Sequence, residues 1–243
     1  LVTLSGSEKQ YDLLAMRIGL GRALKFTGKY SEASKVLEQA LRDSLYLQAK
    51  ASISQIMPQM VSGLNELADI RHREGASEKA VEYLKASLAT IDSQGRQDYL
   101  PLWRTVIDRL AWVRLQQGKL DAAFKLASSA VSSVDPEHAE DPITLASLYN
   151  TLGGVLWQQG NLPEAITYVE RSLRLYERID YQWGMASAYG NLGVLHYTLG
   201  NWSNAADILA RAEMLHKQAG DLQHRAITLN NLGILRMAMG QHE

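Results

Sequence analysis

The sequence predicts an all-α solenoid of antiparallel helix pairs, and three observations carry that prediction. First, glycines recur at Gly28, Gly75, Gly118, Gly160, Gly200 and Gly240, at intervals of 47, 43, 42, 40 and 40 residues. Second, Leu stands eight residues before each of them (Leu20, Leu67, Leu110, Leu152, Leu192, Leu232), followed by a tiny residue (Gly21, Ala68, Ala111, Gly153, Gly193, Gly233). Third, Ala stands five residues after the glycine, at Ala33, Ala80, Ala123, Ala165 and Ala205, and no period-two strand pattern interrupts the series.

Each element of the unit has a physical reason. The Leu–tiny pair belongs to a first helix, where the small side chain lets a second helix approach to roughly 8–10 Å. The glycine ends that helix in the left-handed conformation that other residues avoid. A large apolar residue follows two positions later at Tyr30, Leu120, Leu162 and Trp202, with Ser77 the exception. Ser31, Ser77 and Ser203 are expected N-caps of the second helices, and their alanines face back to the first helix. Asp141-Pro142 reads as an N-cap with Pro in the first turn, as do the positions of Pro101 and Pro163. Residues 132–141 form an expected extended loop, and Pro58 leaves the helix boundary between 44 and 61 open.

This string resembles the tetratricopeptide repeat (TPR), most fully in residues 191–205, NLGVLHYTLGNWSNA. The resemblance implies a right-handed superhelix, with repeats at about 8–50, 56–95, 98–135, 141–179, 181–220 and a first helix at 222–240. Two departures stand out. The family unit is roughly 34 residues, so these longer units need longer helices or longer connections. The family's first-helix aromatic is replaced by Leu24, Arg71, Arg114, Leu156, His196 and Arg236, leaving Ala23, Ile70, Val113, Val155, Leu195 and Leu235 to pack in its place. Long repeats of this kind are similar to those of kinesin light chains, LGN/Pins adaptors, MalT/LuxR-type regulators and Rap-type receptors.

The 243 residues carry 25 Lys+Arg, 26 Asp+Glu and no Cys. Balanced charge argues against a nucleic-acid footprint, and no apolar run reaches the roughly 18 residues of a membrane span. The chain starts without Met and stops three residues after Gly240, so the expectation is a fragment of a longer, cytoplasmic protein. None of the six His stands in an HExxH string, and no phosphate-loop or nucleophile-elbow motif occurs. No cofactor, metal or enzymatic activity is expected.

Carried over by resemblance, the concave face holds residues ten, six, three and two before each turn glycine. Those offsets give Ile18, Arg22, Lys25 and Phe26, then Asn65, Asp69, His72 and Arg73, then Asp108, Trp112, Leu115 and Gln116. They continue with Asn150, Gly154, Trp157 and Gln158, with Gly190, Val194, Tyr197 and Thr198, and with Asn230, Ile234, Met237 and Ala238. The expected groove is basic at one end and apolar at the other. Amides at Asn65, Asn150 and Asn230 can pair with a peptide backbone, while Trp112, Trp157 and Tyr197 can grip side chains. Arg22, Lys25 and Arg73 would meet an acidic end. Ile18 and Arg22 do not reproduce the Lys/Asn carboxylate clamp of chaperone-binding TPR domains.

Several readings stay open. Asn191 and Asn231 are either groove residues or a structural bond between repeats; Trp183 is either a contact surface or packed on the preceding repeat. The chain is expected to be a protein- or peptide-binding scaffold. The alternative is the arm of a bacterial signalling or transcriptional regulator that senses a small effector or partner protein. Self-association is expected through an apolar stripe of Leu232, Leu235 and Met239 on the last helix.

Overall fold

The structure, a computed structural model, describes residues 6–48, 53–134 and 140–240. Among the described residues there are eleven α-helices and no strand. The chain forms two compact units, Leu1–Val113 and Arg114–Glu243. In the first, α1 (Gly6–Phe26) pairs with α2 (Tyr30–Gln48), and α3 (Ile53–Arg73) with α4 (Ser77–Asp92). A short 3-10 turn at Arg96–Tyr99 leads into α5 (Leu100–Gln116), which ends just past the division. The second holds α6 (Leu120–Val131), α7 (Pro142–Gln158), α8 (Leu162–Arg178), α9 (Gln182–Thr198), α10 (Trp202–Gln218) and α11 (Leu222–Ala238).

From α7 onward, 17-residue helices alternate with three-residue turns, and this alone produces the 40-residue period. Longer helices, not longer connections, therefore explain the departure from the family length. The 47-residue interval comes mainly from still longer helices, 19 residues in α2 and 21 in α3. The 43- and 42-residue intervals come instead from longer connections, at 93–99, which holds the 3-10 turn, and at 132–141.

Every turn glycine adopts positive φ, between 69° and 82°. Around Gly200 the N–H of Gly200 donates to Tyr197 C=O and the N–H of Asn201 to His196 C=O, both at 2.9 Å, a Schellman closure. Asn201 is at the same time the N-cap of α10, its C=O accepting from Ala205 N–H at 2.9 Å. One residue thus closes the first helix and opens the second. Lys29, Ala76, Lys119 and Asn161 do the same in their repeats. This corrects the expected serine caps: Ser31, Ser77 and Ser203 lie inside the first turn, one or two residues too late to cap. Asp141 does cap α7, its carboxylate accepting from Thr144 N–H at 3.1 Å, and Pro101 and Pro163 sit in first turns. Pro58 lies inside α3 rather than at its border. Residues 49–52 of the open 44–61 stretch, and 135–139 of the expected loop, lie outside the described residues.

The seam within each pair is the core. Ala33, Ala80, Ala123, Ala165 and Ala205 are fully buried, as are Leu37, Leu84, Ala127, Val169 and Leu209 four residues on. The latter ride directly over the tiny residue of the first helix: a Cβ at Gly21, Gly153 or Gly193 would collide with Leu37, Val169 or Leu209. Each such buried Leu or Val contributes about 1.5–3 kcal/mol. Ile70, Val113, Val155, Leu195 and Leu235 are buried where the family's aromatic is missing, while Ala23 is exposed. The expected bare stripe on α11 is corrected as well. Leu235 is buried against Ala205 and Leu209, with Leu232 and Met239 packed beside it, because α10 covers that side. The exposed apolar residues of α11 are instead Leu222, Ile227, Leu229, Ile234 and Met237.

Candidate binding faces on the first helices

Both units present the offsets expected to bind, and they differ in chemistry. In the first unit, α1 and α3 pack side by side, and their facing side chains form an ion network. Lys25 Nζ lies 2.6 Å from Glu66 Oε2 and 2.5 Å from Asp69 Oδ2. Arg22 Nε donates to Glu66 Oε1 at 2.9 Å and its Nη2 to Ser62 Oγ at 3.1 Å, while Arg73 Nε reaches Asp69 Oδ1 at 3.3 Å. Glu66 is nearly buried, at 5% side-chain exposure, and Lys25 is 16% exposed. Burial alone would raise the Glu66 carboxyl, but Lys25, Arg22 and Arg109 together hold it below its usual range. Asp69 is likewise pulled down against burial by Lys25, Arg73 and Arg109.

The cations expected to meet an acidic ligand are therefore already engaged, two of them sharing Glu66. Glu66 and Asp69 thus hold Arg22, Lys25 and Arg73 between them, and Arg109 acts on both carboxylates through its charge. Beside them a cavity of about 30 Å³ is lined by Asn65, Asp69, His72, Arg109 and Trp112. The His72 and Trp112 rings meet edge-on at 4.6 Å, and His72 Nδ1 lies 3.1 Å from Ser77 Oγ. Asn65 is buried, its amide oxygen accepting from Ser87 Oγ at 3.2 Å. That bond takes one of the two lone pairs of the amide oxygen. Ile18 and Leu115 belong to the core rather than to a groove, because their offsets turn inward at those repeats. Asp108 is half-buried, while Gln116 and Gln158 are exposed.

In the second unit α9 packs against both α7 and α11, and the same face opens into a cavity of about 160 Å³. Trp157, Val194, Tyr197, Thr198 and Ile234 line it together with Leu209 and Asn231. Trp157 Nε1 donates to Thr198 Oγ1 at 3.4 Å, which orients the indole across the opening. Trp157 remains 40% exposed and Met237 68%. Asn150 donates to Ser187 Oγ at 3.3 Å and accepts from Asn191 Nδ2 at 3.1 Å. Asn191 thus makes the bond between neighbouring repeats, whereas Asn231 faces the cavity. Asn230 and Trp183 are exposed.

The expected offsets omitted two positions: nine before the turn glycine, which holds Glu66, Arg109, Asn191 and Asn231, and thirteen before it, which holds Ser62 and Ser187. A signal for them exists in the sequence. Contacts between adjacent first helices join residues about one repeat apart, 44 for Arg22–Glu66 and Lys25–Asp69, 41 for Asn150–Asn191 and Trp157–Thr198. Pairing opposite charges at that separation singles out Glu66. Among the described residues no cluster of three His, Asp or Glu could hold a metal ion, and no helix is long and apolar enough to cross a membrane.

The comparisons agree with this geometry. Two models of the tetratricopeptide repeat match, one over residues 18–95 and one over 144–218. The chain belongs to the TPR family. No curated protein sequence matches it. Among solved structures it is similar to BtubC (BKLC) from P. vanneervenii, at 21% identity over 98% of this chain and 86% of that one, TM-score 0.64. It also resembles TPR-like repeats of a Podosopora anserina kinesin light chain protein, at 20% identity over 86% and 97%, TM-score 0.57. The Pseudomonas aeruginosa PilF structure matches at 19% identity over 97% and 94%, TM-score 0.59. At these identities the likeness is one of fold. Membership in the TPR family makes this chain, in general terms, a protein-interaction scaffold.

Proposed function

We propose that this TPR chain binds a peptide segment of a partner protein through the α7–α9–α11 face, which takes one apolar side chain into the Trp157–Tyr197–Ile234 cavity. The observation that carries the reading is that cavity. Residues from four helices converge on a space of about 160 Å³, large enough for a Leu, Met or Phe side chain. Its rim carries an indole, a phenol and the Asn231 amide, which suits an apolar anchor flanked by backbone hydrogen bonds. In the other unit, Arg22 and Arg73 stay 58% and 40% exposed at the rim of the ion network, which suits a ligand segment carrying Asp or Glu.

The test is selection of peptides from a random 12-residue display library on the full chain. The expected outcome is a shared large apolar residue in the selected set, with affinity falling about tenfold or more in Trp157→Ala. Selected peptides without that anchor, or affinities unmoved in a variant whose circular dichroism is unchanged, would overturn the assignment.

A further inference from the structure

Neighbouring first helices of the second unit are bridged at one joint by a side chain that the next joint lacks. Asn150, ten residues before its turn glycine, reaches from α7 to α9, donating to Ser187 Oγ at 3.3 Å and accepting from Asn191 Nδ2 at 3.1 Å. Its partners lie 37 and 41 residues further along the chain. The same steps from α9 to α11 run from Gly190 to Ile227 and Asn231. The receiving amide is present and the bridging one is missing. Gly190 has no side chain to offer, and a Cβ built on it would meet nothing within 4 Å. Ile227, in the place of Ser187, is 52% exposed, and Asn231 is half-buried. The gap adjoins the cavity of about 160 Å³, which Asn231 itself lines together with Val194, one turn after Gly190.

The intact joint shows which group fits such a gap: a carboxamide. We propose that an Asn or Gln side chain of the bound peptide occupies the space over Gly190 and pairs with the Asn231 amide, as Asn150 pairs with Asn191. The assignment rests on the peptide reading of the cavity and adds to it a position that sets specificity. Asn231 offers two N–H groups and a carbonyl, so a bond to the main chain beside the apolar anchor leaves it able to hold a second amide. A ligand carboxamide donates and accepts at once. A carboxylate only accepts, and an apolar side chain would cover the half-buried Asn231 amide without a partner. The methylenes of the Asn or Gln lie against Ile227. Gly190 and Val194 stand roughly 6 Å apart, one helical turn and a fraction. Side chains on one face of an extended peptide repeat every two residues, about 6.6 Å. The carboxamide therefore stands two residues from the anchor that enters the cavity.

The probe is the 12-residue peptide that the display library selects most strongly on the full chain, labelled for fluorescence anisotropy. It is expected to carry Asn or Gln two residues from its large apolar anchor. Ala in place of that Asn or Gln should raise Kd about fivefold on wild type and less than about twofold on Asn231→Leu. Gly190→Asn supplies the missing carboxamide from α9 itself, so it should raise Kd about fivefold or more. Its urea midpoint should stay at or above that of wild type, because Asn is no worse than Gly inside a helix. Gly19→Asn, at an open glycine of the first unit, should leave Kd unchanged. A selected peptide that depends on Trp157 yet lacks the carboxamide, or binds wild type and Gly190→Asn alike, would overturn this assignment and leave the cavity reading standing. So would a lowered midpoint in Gly190→Asn, since the gap would then not accept a carboxamide. Peptides indifferent to Trp157→Ala would defeat the cavity reading, and this assignment with it.

Discussion

Nine residues before the turn glycine, α3 carries Glu66 and α9 carries Asn191, and the two show how differently one repeat position can be used. Glu66 is nearly buried and ties Arg22 and Lys25 of α1 to α3. Asn191 is exposed and spends one amide hydrogen on Asn150 of α7. The seam within each pair is the same in both places, Ala against a tiny residue and a buried aliphatic four residues on. What differs lies on the first helices alone. A solenoid of this kind separates the residues that make it stack from those that give it a face, so the face can be an ion network in one unit and an apolar cavity in the other.

The sharpest way to break the comparison is Glu66→Ala. Removal of one member of a buried pair leaves a charge without compensation, and Lys25 is only 16% exposed. The expected loss is about 3 kcal/mol, the low end for a buried pair because Asp69 still holds Lys25. Urea unfolding followed by hydrogen exchange should place the loss in α1 and α3. A loss below about 1 kcal/mol would mean that the network is solvated rather than structural.

Acidification should separate the two units in a second way, with a smaller effect. In the second unit His216 is buried at the α10–α11 joint, its Nδ1 3.6 Å from Asp221 Oδ2, with His224 Nδ1 2.6 Å from the same oxygen. Burial lowers the His216 pKa below its ordinary 6.5, helped by His224 and opposed by Asp221. An imidazole kept neutral by folding binds fewer protons than in the unfolded chain, so its contribution is complete above pH 6.5 and is lost as pH falls through the lowered value. In the first unit Glu66 and Asp69 are lowered from 4.5 and 3.8. Their contribution stays complete down to those values and fades only below them. Measured in a His72→Gln background, because burial lowers His72 of α3 as well, protection factors against hydrogen exchange should therefore fall between pH 7.5 and 5 in α10 and α11 before they do in α1 and α3. The opposite order, or His216→Gln leaving the pH profile unmoved, would count against this assignment.

The scaffold was legible because its rules are local and repeated. Gly200, Leu192, Gly193 and Ala205 each have one job within a single pair, and the same job recurs at a fixed spacing. The faces were legible only in outline. Trp157, Tyr197 and Ile234 fell on the expected offsets and do line one cavity, but Glu66 and Asn231 did not. Their partners lie a whole repeat away, where pairing depends on how adjacent first helices are staggered rather than on any run of residues. Asn65 shows the reverse case: the right offset, with the side chain buried and its oxygen accepting from Ser87 of the next helix. The serine caps failed for a local reason, since a three-residue turn leaves one residue to close one helix and open the next.

The smallest expected effect completes the contrast. Asn191→Ala removes an exposed hydrogen bond to Asn150 at the position where Glu66→Ala removes a buried charge. An exposed amide regains water when its partner leaves, so the loss should be about 0.5 kcal/mol, the lower end for a single hydrogen bond. Asn150 keeps its donation to Ser187 Oγ at 3.3 Å, which limits any rearrangement further. Urea midpoints of the two variants measured side by side should differ several-fold in their displacement from wild type. If Asn191→Ala cost as much as Glu66→Ala, position nine would be a structural requirement of every repeat, and the division between stacking residues and face residues would fail at that point.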